Sequence, residues 1–172
     1  MRVNFVGPVL LMLMLAAPAH ADPPKVAVFD FELMDTSAEG EVKGSQTGEQ
    51  ERLVRAGQQL RRELAESGKF QVLDIAPVSA AAQGSNLQAC GGCDVQLALK
   101  LGADLAITGL VQKVSALILN INIFVRDTQT GRLVASMSVD LRGNTDESWS
   151  RAMNYLLRNR LLAPNYGAPQ LQ

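Results

Sequence analysis

Val26-Ala-Val-Phe-Asp-Phe31 is the stretch that decides the fold. It is short, almost continuously apolar, and rich in β-branched and aromatic side chains. Such a run reads as a strand covered on both faces, not as the half-wetted strand of a simple antiparallel sheet. Cover on two sides calls for helices, and the sequence just downstream supplies one. Between Glu49 and Ser67, Leu53, Gly57, Leu60 and Leu64 recur at helical spacing, while Arg55, Gln59, Arg62 and Glu66 take the other side. Thr47 and Gln50 have capping-box spacing, and Gly68 stands where a helix stops. Met34 to Gly48 has no periodicity and reads as a long loop.

Phe70-Gln-Val-Leu-Asp74 is a second short strand. Pro77 to Gln88 is rich in Ala, Ser, Gly and Gln and supports no more than a weak helical turn. Asp94 is placed to cap a two-turn helix through Leu101, ended by Gly102. Ala103 to Val111 is again an apolar strand. Ala116 to Arg126 alternates, with Leu117, Leu119, Ile121, Ile123 and Val125 on one face and Asn120, Asn122 and Arg126 on the other. Asp127-Thr-Gln-Thr-Gly131 makes a hairpin connection. Leu133, Ala135, Met137, Val139 and Leu141 then alternate with polar residues. Asn144 and Glu147 open a last helix, whose stripe is Trp149, Ala152, Met153, Leu156 and Leu157, with Pro164 at its end. The order β-α-β-(α)-β-β-β-α predicts an α/β domain, one mixed sheet with helices packed on it, over residues 22–162. Residues 163–172 read as a flexible tail.

The N-terminus carries an address. Arg2, the apolar run Phe5 to Ala17 and the small-residue pattern Ala19-His20-Ala21 form a secretory signal peptide over residues 1–21. A membrane span needs about 20 apolar residues, and this run is shorter and broken by Gly7 and Pro8. Cleavage after Ala21 into the periplasm is expected, with no membrane anchor left behind and no cysteine at the cleavage site to carry a lipid. Loss of Arg2 moves the formal charge from −1 to −2, so no basic surface for nucleic acid is expected. Loss of His20, the single histidine, removes histidine-based nucleophilic and metal chemistry.

Two sets of residues remain as candidates for chemistry. Cys90-Gly-Gly-Cys93 holds both thiols of the chain. In an oxidising compartment the pair reads as a structural disulfide. The alternatives are a redox pair, with a thiolate favoured at a helix start, and a metal site, which two cysteines without histidine serve poorly. Asp30, Glu32 and Asp35 lie together at the end of the first strand and offer a binding surface; they lack the calcium-loop pattern. Gly40, Gly44 and Gly48 do not form a phosphate-binding loop. No cofactor and no metal is expected.

Val26–Phe31, Phe70-Gln-Val-Leu73, Leu101-Gly-Ala-Asp-Leu-Ala-Ile-Thr-Gly109 and Arg126-Asp-Thr-Gln-Thr-Gly131-Arg-Leu-Val134 together resemble the N-terminal domain of TolB and CsgG-like envelope proteins. The chain is most similar to a secreted bacterial family of unknown function with that fold, over roughly residues 25–162. The resemblance implies a non-catalytic periplasmic protein that works by contacts, an accessory to an envelope assembly or a periplasmic enzyme system. No β-propeller, lipid-anchored cysteine or pore hairpins accompany the domain, so neither TolB's partner arrangement nor a CsgG channel carries over. A thiol–disulfide protein using Cys90 and Cys93, and a small-ligand carrier near Asp30, are the rival expectations. The Asn120–Asn122 strand face is a candidate for homo-oligomer contacts.

Overall fold

A computed structural model describes residues 22–44 and 46–164. The expected signal peptide, and the tail from residue 165, lie outside the described residues. Five strands form one sheet in the order β2-β1-β3-β4-β5. They are β1 (Lys25–Asp35), β2 (Gln71–Val72), β3 (Leu105–Ser115), β4 (Ile118–Asp127) and β5 (Leu133–Arg142). β1 runs parallel to β2 and β3, whereas β3, β4 and β5 form an antiparallel meander. This is the mixed sheet the sequence predicts. β1 is an interior strand, between β2 and β3, and is buried on both faces from Val26 to Phe29.

Two long helices cover the front of the sheet, α2 (Thr47–Glu66) and α5 (Asp146–Leu156), the latter running on into a π-helical turn over Leu157–Leu161. Leu53, Leu60 and Leu64 of α2 and Trp149, Met153 and Leu156 of α5 pack on Val28, Ile121 and Ile123. The back carries a second, smaller core. There α3 (Ser79–Gln83) and α4 (Cys93–Lys100) set Ala82, Leu97 and Ala98 against Ala27, Phe29 and Ala106.

Several local expectations are corrected. The expected loop over residues 34–48 contains the end of β1 and a short helix, α1 (Ala38–Lys43). Ser37 caps α1 by accepting from the Gly40 amide at 3.0 Å. α1 buries no residue, so no apolar period announces it. The expected strand over Phe70–Asp74 narrows to Gln71–Val72. α2 is capped one residue earlier than expected, by Gln46, whose amide donates to Glu49 Oε2 at 3.3 Å. α5 is capped by Thr145 and Ser148, not Asn144 and Glu147. Asp94 does not cap α4: Gly92 takes that place, and Asp94 is buried and paired with Arg126 Nε at 3.3 Å. Leu117 belongs to the β3–β4 turn and is 71% exposed, so it is not a core residue.

β1 carries one irregularity. The β1–β3 register jumps between Val28 and Phe31, so two residues of β1 oppose one of β3. Beyond the jump, Phe31 pairs with Gly109. A Cβ at 109 would lie 2.5 Å from the Phe31 ring, so only glycine leaves room for it.

Candidate functional site

The three carboxylates read from the sequence go to two different places. Asp30 lies at the bulge and is held by Arg61, whose Nη2 donates to its Oδ1 and whose Nε donates to the Val28 carbonyl at 3.0 Å. Glu32 accepts from the Leu87 amide at 2.9 Å, tying β1 to the segment before the disulfide. Asp30 and Glu32 share the wall of a cavity of about 190 Å³ with Ile75, Ala82 and Leu87. Asp35 turns away from both and joins a buried ionic cluster.

Lys113 organises that cluster, which sequence reading missed. It is 1% exposed, and its ammonium donates to Glu49 Oε1 at 2.6 Å and Asp35 Oδ2 at 3.1 Å. Asn144 Nδ2 also donates to Glu49 Oε1, at 2.7 Å, and its own Oδ1 accepts from Trp149 Nε1 at 2.9 Å. β1, β3, α2 and α5 are thus joined through side chains at one end of the sheet. Burial pushes the Asp35 carboxyl up, but the Ser37 hydroxyl and amide and the Lys113 ammonium outweigh it and hold it below its ordinary value of 3.8. Burial would likewise lower Lys113, but Glu49 and Asp35 hold it above 10.5. A signal for the cluster was present: Ile107, Gly109, Val111 and Lys113 share one strand parity, so the lysine falls on a buried row. Glu49 likewise stands one turn before Leu53 on the buried stripe of α2.

Apolar side chains are exposed at the same end of the sheet. Val114, Leu117 and Ile118, at the turn between β3 and β4, are 58%, 71% and 52% exposed. Met34, on the neighbouring β1 and across from Gln112, adds a fourth exposed apolar side chain at 43%. Large apolar residues gathered at one exposed place mark an interaction surface more often than scattered ones do.

Cys90 and Cys93 are joined in a disulfide with their Cα atoms 5.6 Å apart. Gly91 and Gly92 between them have φ of +69° and +102°, a left-handed path that other residues rarely adopt. Cys93 opens α4 and packs on the back core. Among the described residues, no group of three or more His, Cys, Asp or Glu could hold a metal ion, and no helix is long and apolar enough to cross a membrane. A cleft of about 310 Å³ between α2 and α5 is lined by Arg52, Arg55 and Arg62. Asp146 occupies part of it, accepting from Arg52 Nε at 2.7 Å and Arg55 Nη2 at 2.9 Å.

Strand order and helix placement define a single-sheet α/β domain with helices packed on both of its faces. The same fold is found in the LpoB C-terminal domain from Salmonella enterica (TM-score 0.53, 18% identity, covering 75% of this chain and 90% of that one). It is found also in lipoprotein GNA1162 from Neisseria meningitidis (TM-score 0.52, 16% identity, covering 80% and 95%). The LpoB C-terminal domain from Escherichia coli is similar too (TM-score 0.51, 19% identity, covering 74% and 89%). No curated protein sequence matches the chain. The chain belongs to the DUF3280 family, described as "Protein of unknown function (DUF2380)", which matches residues 24–161.

Proposed function

We propose that this protein is a non-catalytic accessory protein of the bacterial periplasm that binds a protein of an envelope assembly or of a periplasmic enzyme system. The observation that carries the reading is the exposed apolar end formed by Met34, Val114, Leu117 and Ile118, set directly beside the buried Lys113 cluster. Exposing apolar side chains on a rigid base suits a surface that must dock in one orientation. Sharing the fold of the LpoB C-terminal domain and of a named lipoprotein accords with this reading. The cavity beside Asp30 and Glu32, at about 190 Å³, is smaller than the roughly 300–1,000 Å³ of ordinary ligand pockets, which argues against carriage of a ligand there.

The test is cross-linking and affinity capture of the tagged protein from the periplasm, with Leu117→Asp/Ile118→Asp beside the natural chain. Both substituted residues are exposed, so the melting temperature should not move. A protein held by the natural chain and lost by the variant supports the reading; identical capture by both overturns it. N-terminal sequencing of the periplasmic protein should begin at Asp22. In this account the Cys90–Cys93 bond is structural. Equilibration with glutathione should give a potential below about −300 mV; a value near −120 to −200 mV would instead mean an exchange-competent thiol protein.

A further inference from the structure

The cleft between α2 and α5 gathers positive charge over an apolar floor. Its volume of about 310 Å³ reaches the lower end of the roughly 300–1,000 Å³ of small-molecule pockets. Arg52, Arg55 and Arg62 line it with a single carboxylate, Asp146, in a chain whose formal charge is −1. Trp149 and Met153 line it too, and both belong to the front core. Arg55 and Arg62 are seven residues apart, two turns of α2, so both stand on the side of the helix that borders the cleft. Arg62 makes no hydrogen bond or ion pair with a described residue. The Asp146 side chain is 68% exposed and meets Arg52 Nε and Arg55 Nη2 through one oxygen, Oδ1, at 2.7 and 2.9 Å. The Arg52 hydrogen bond, with the charges of Arg55 and Arg52, holds its carboxyl below the ordinary 3.8. Arg52 is fixed from a second side, where Nη1 donates to Asn144 Oδ1 at 3.3 Å.

We propose that this cleft binds a small organic carboxylate, and that Asp146 is its internal competitor. The incoming carboxylate is held by Arg55 and Arg62, and a short apolar body lies along Trp149 and Met153. Each guanidinium offers five N–H donors in a planar fork that fits a carboxylate. Asp146 takes one donor from Arg52 and one from Arg55, so most of this capacity is left for a ligand. An ion pair as exposed as this one holds its members weakly, so a ligand can displace Asp146. A bare inorganic anion would leave the apolar floor wet, which selects for an organic body. The site is separate from the apolar end formed by Met34, Val114, Leu117 and Ile118, and does not rest on the docking role given to that end.

Trp149 is the single tryptophan of the chain, so its fluorescence reports on the cleft directly. The purified protein is titrated with hexanoate, with neutral hexanamide and with sulfate. Hexanoate should change the emission saturably, with a dissociation constant of about 1 mM, as befits so small a ligand. Hexanamide and sulfate should bind at least about tenfold more weakly. The variants should move the affinity in opposite directions. Arg62→Gln and Arg55→Gln should each weaken hexanoate about tenfold, and Asp146→Asn should tighten it about tenfold. All three residues are exposed, so the melting temperature should stay where it is and separate lost binding from lost folding. No response up to about 10 mM hexanoate overturns the proposal. So does an equal response to hexanamide or sulfate, or a hexanoate affinity that Arg62→Gln and Asp146→Asn leave unchanged. Hexanoate silence together with loss of a captured acidic protein in Arg62→Gln would also overturn it, and would give the cleft to a protein segment instead.

Discussion

The two faces of the sheet are built by different means. The front is sealed by two amphipathic helices that reach across all the longer strands, and a buried lysine with its carboxylates closes one end. The back is covered only in part. Short α3 and α4 lie over the first strands, and beyond them Asn120, Ser138 and Asp140 hydrogen-bond to one another in the open. Periodic helices let the front bury large side chains. The back uses alanines, glycine turns and a covalent staple, and leaves half a sheet face and a long edge uncovered. Stability is therefore concentrated on one side of the sheet, and surface available to partners on the other.

The sharpest way to break this contrast is Lys113→Met. Removing the ammonium strands Glu49 and Asp35 in a buried site, and a cost of about 3–5 kcal/mol is expected in denaturant unfolding. The same cluster sets limits in pH. Asp35 titrates below its unfolded value of 3.8, so its contribution is complete above that pH and is lost as pH falls through the folded value. Lys113 titrates above 10.5, so its contribution is complete below that pH and is lost as pH rises through the folded value. Thermal melts should be flat between these limits, and Lys113→Met should remove the alkaline loss.

Leu60→Ala, in the front core, should cost about 2–5 kcal/mol and lower the urea midpoint without changing the slope. Replacing Cys90 and Cys93 by serine acts on the back. A loop this short is worth about 2 kcal/mol by chain entropy, and hydrogen exchange should quicken in residues 85–100 while α2 and α5 stay protected. Thr145→Ala, at the cap of α5, should cost about 1 kcal/mol. A disulfide variant that loosened α2 as much as α4 would show the faces to be one cooperative unit.

The same contrast explains what the sequence made legible. Leu53, Leu60 and Leu64, and Trp149, Met153 and Leu156, repeat at 3.6-residue spacing, and the front helices follow from them. Ile121, Ile123 and Val125 alternate, and the hairpin follows. α1 was invisible because it buries nothing, and α3 showed only as a weak helical turn because its alanines have no apolar stripe. The carboxylates Asp30, Glu32 and Asp35 are close in sequence, but β1's bulge and extended pitch send them to separate partners. Lys113 was hidden because the apolar run of β3 stops at Val111, while the strand itself continues to Ser115. The apolar end went unnoticed because Leu117 continues the alternation of β4 past the point where the strand turns.

One consequence concerns the order in which the molecule is assembled. β1, an interior strand of the sheet, is the first in the chain, and both its neighbours come much later: Lys25 pairs with Gln71, and Val26 with Leu105. Pairings so distant in sequence close slowly. Until Lys113 has emerged from the ribosome, β1 has no β3 to lie against and Glu49 has no lysine counter-ion. The nascent chain therefore stays without its sheet through most of its length, and the same residues that lock the finished domain time its closure.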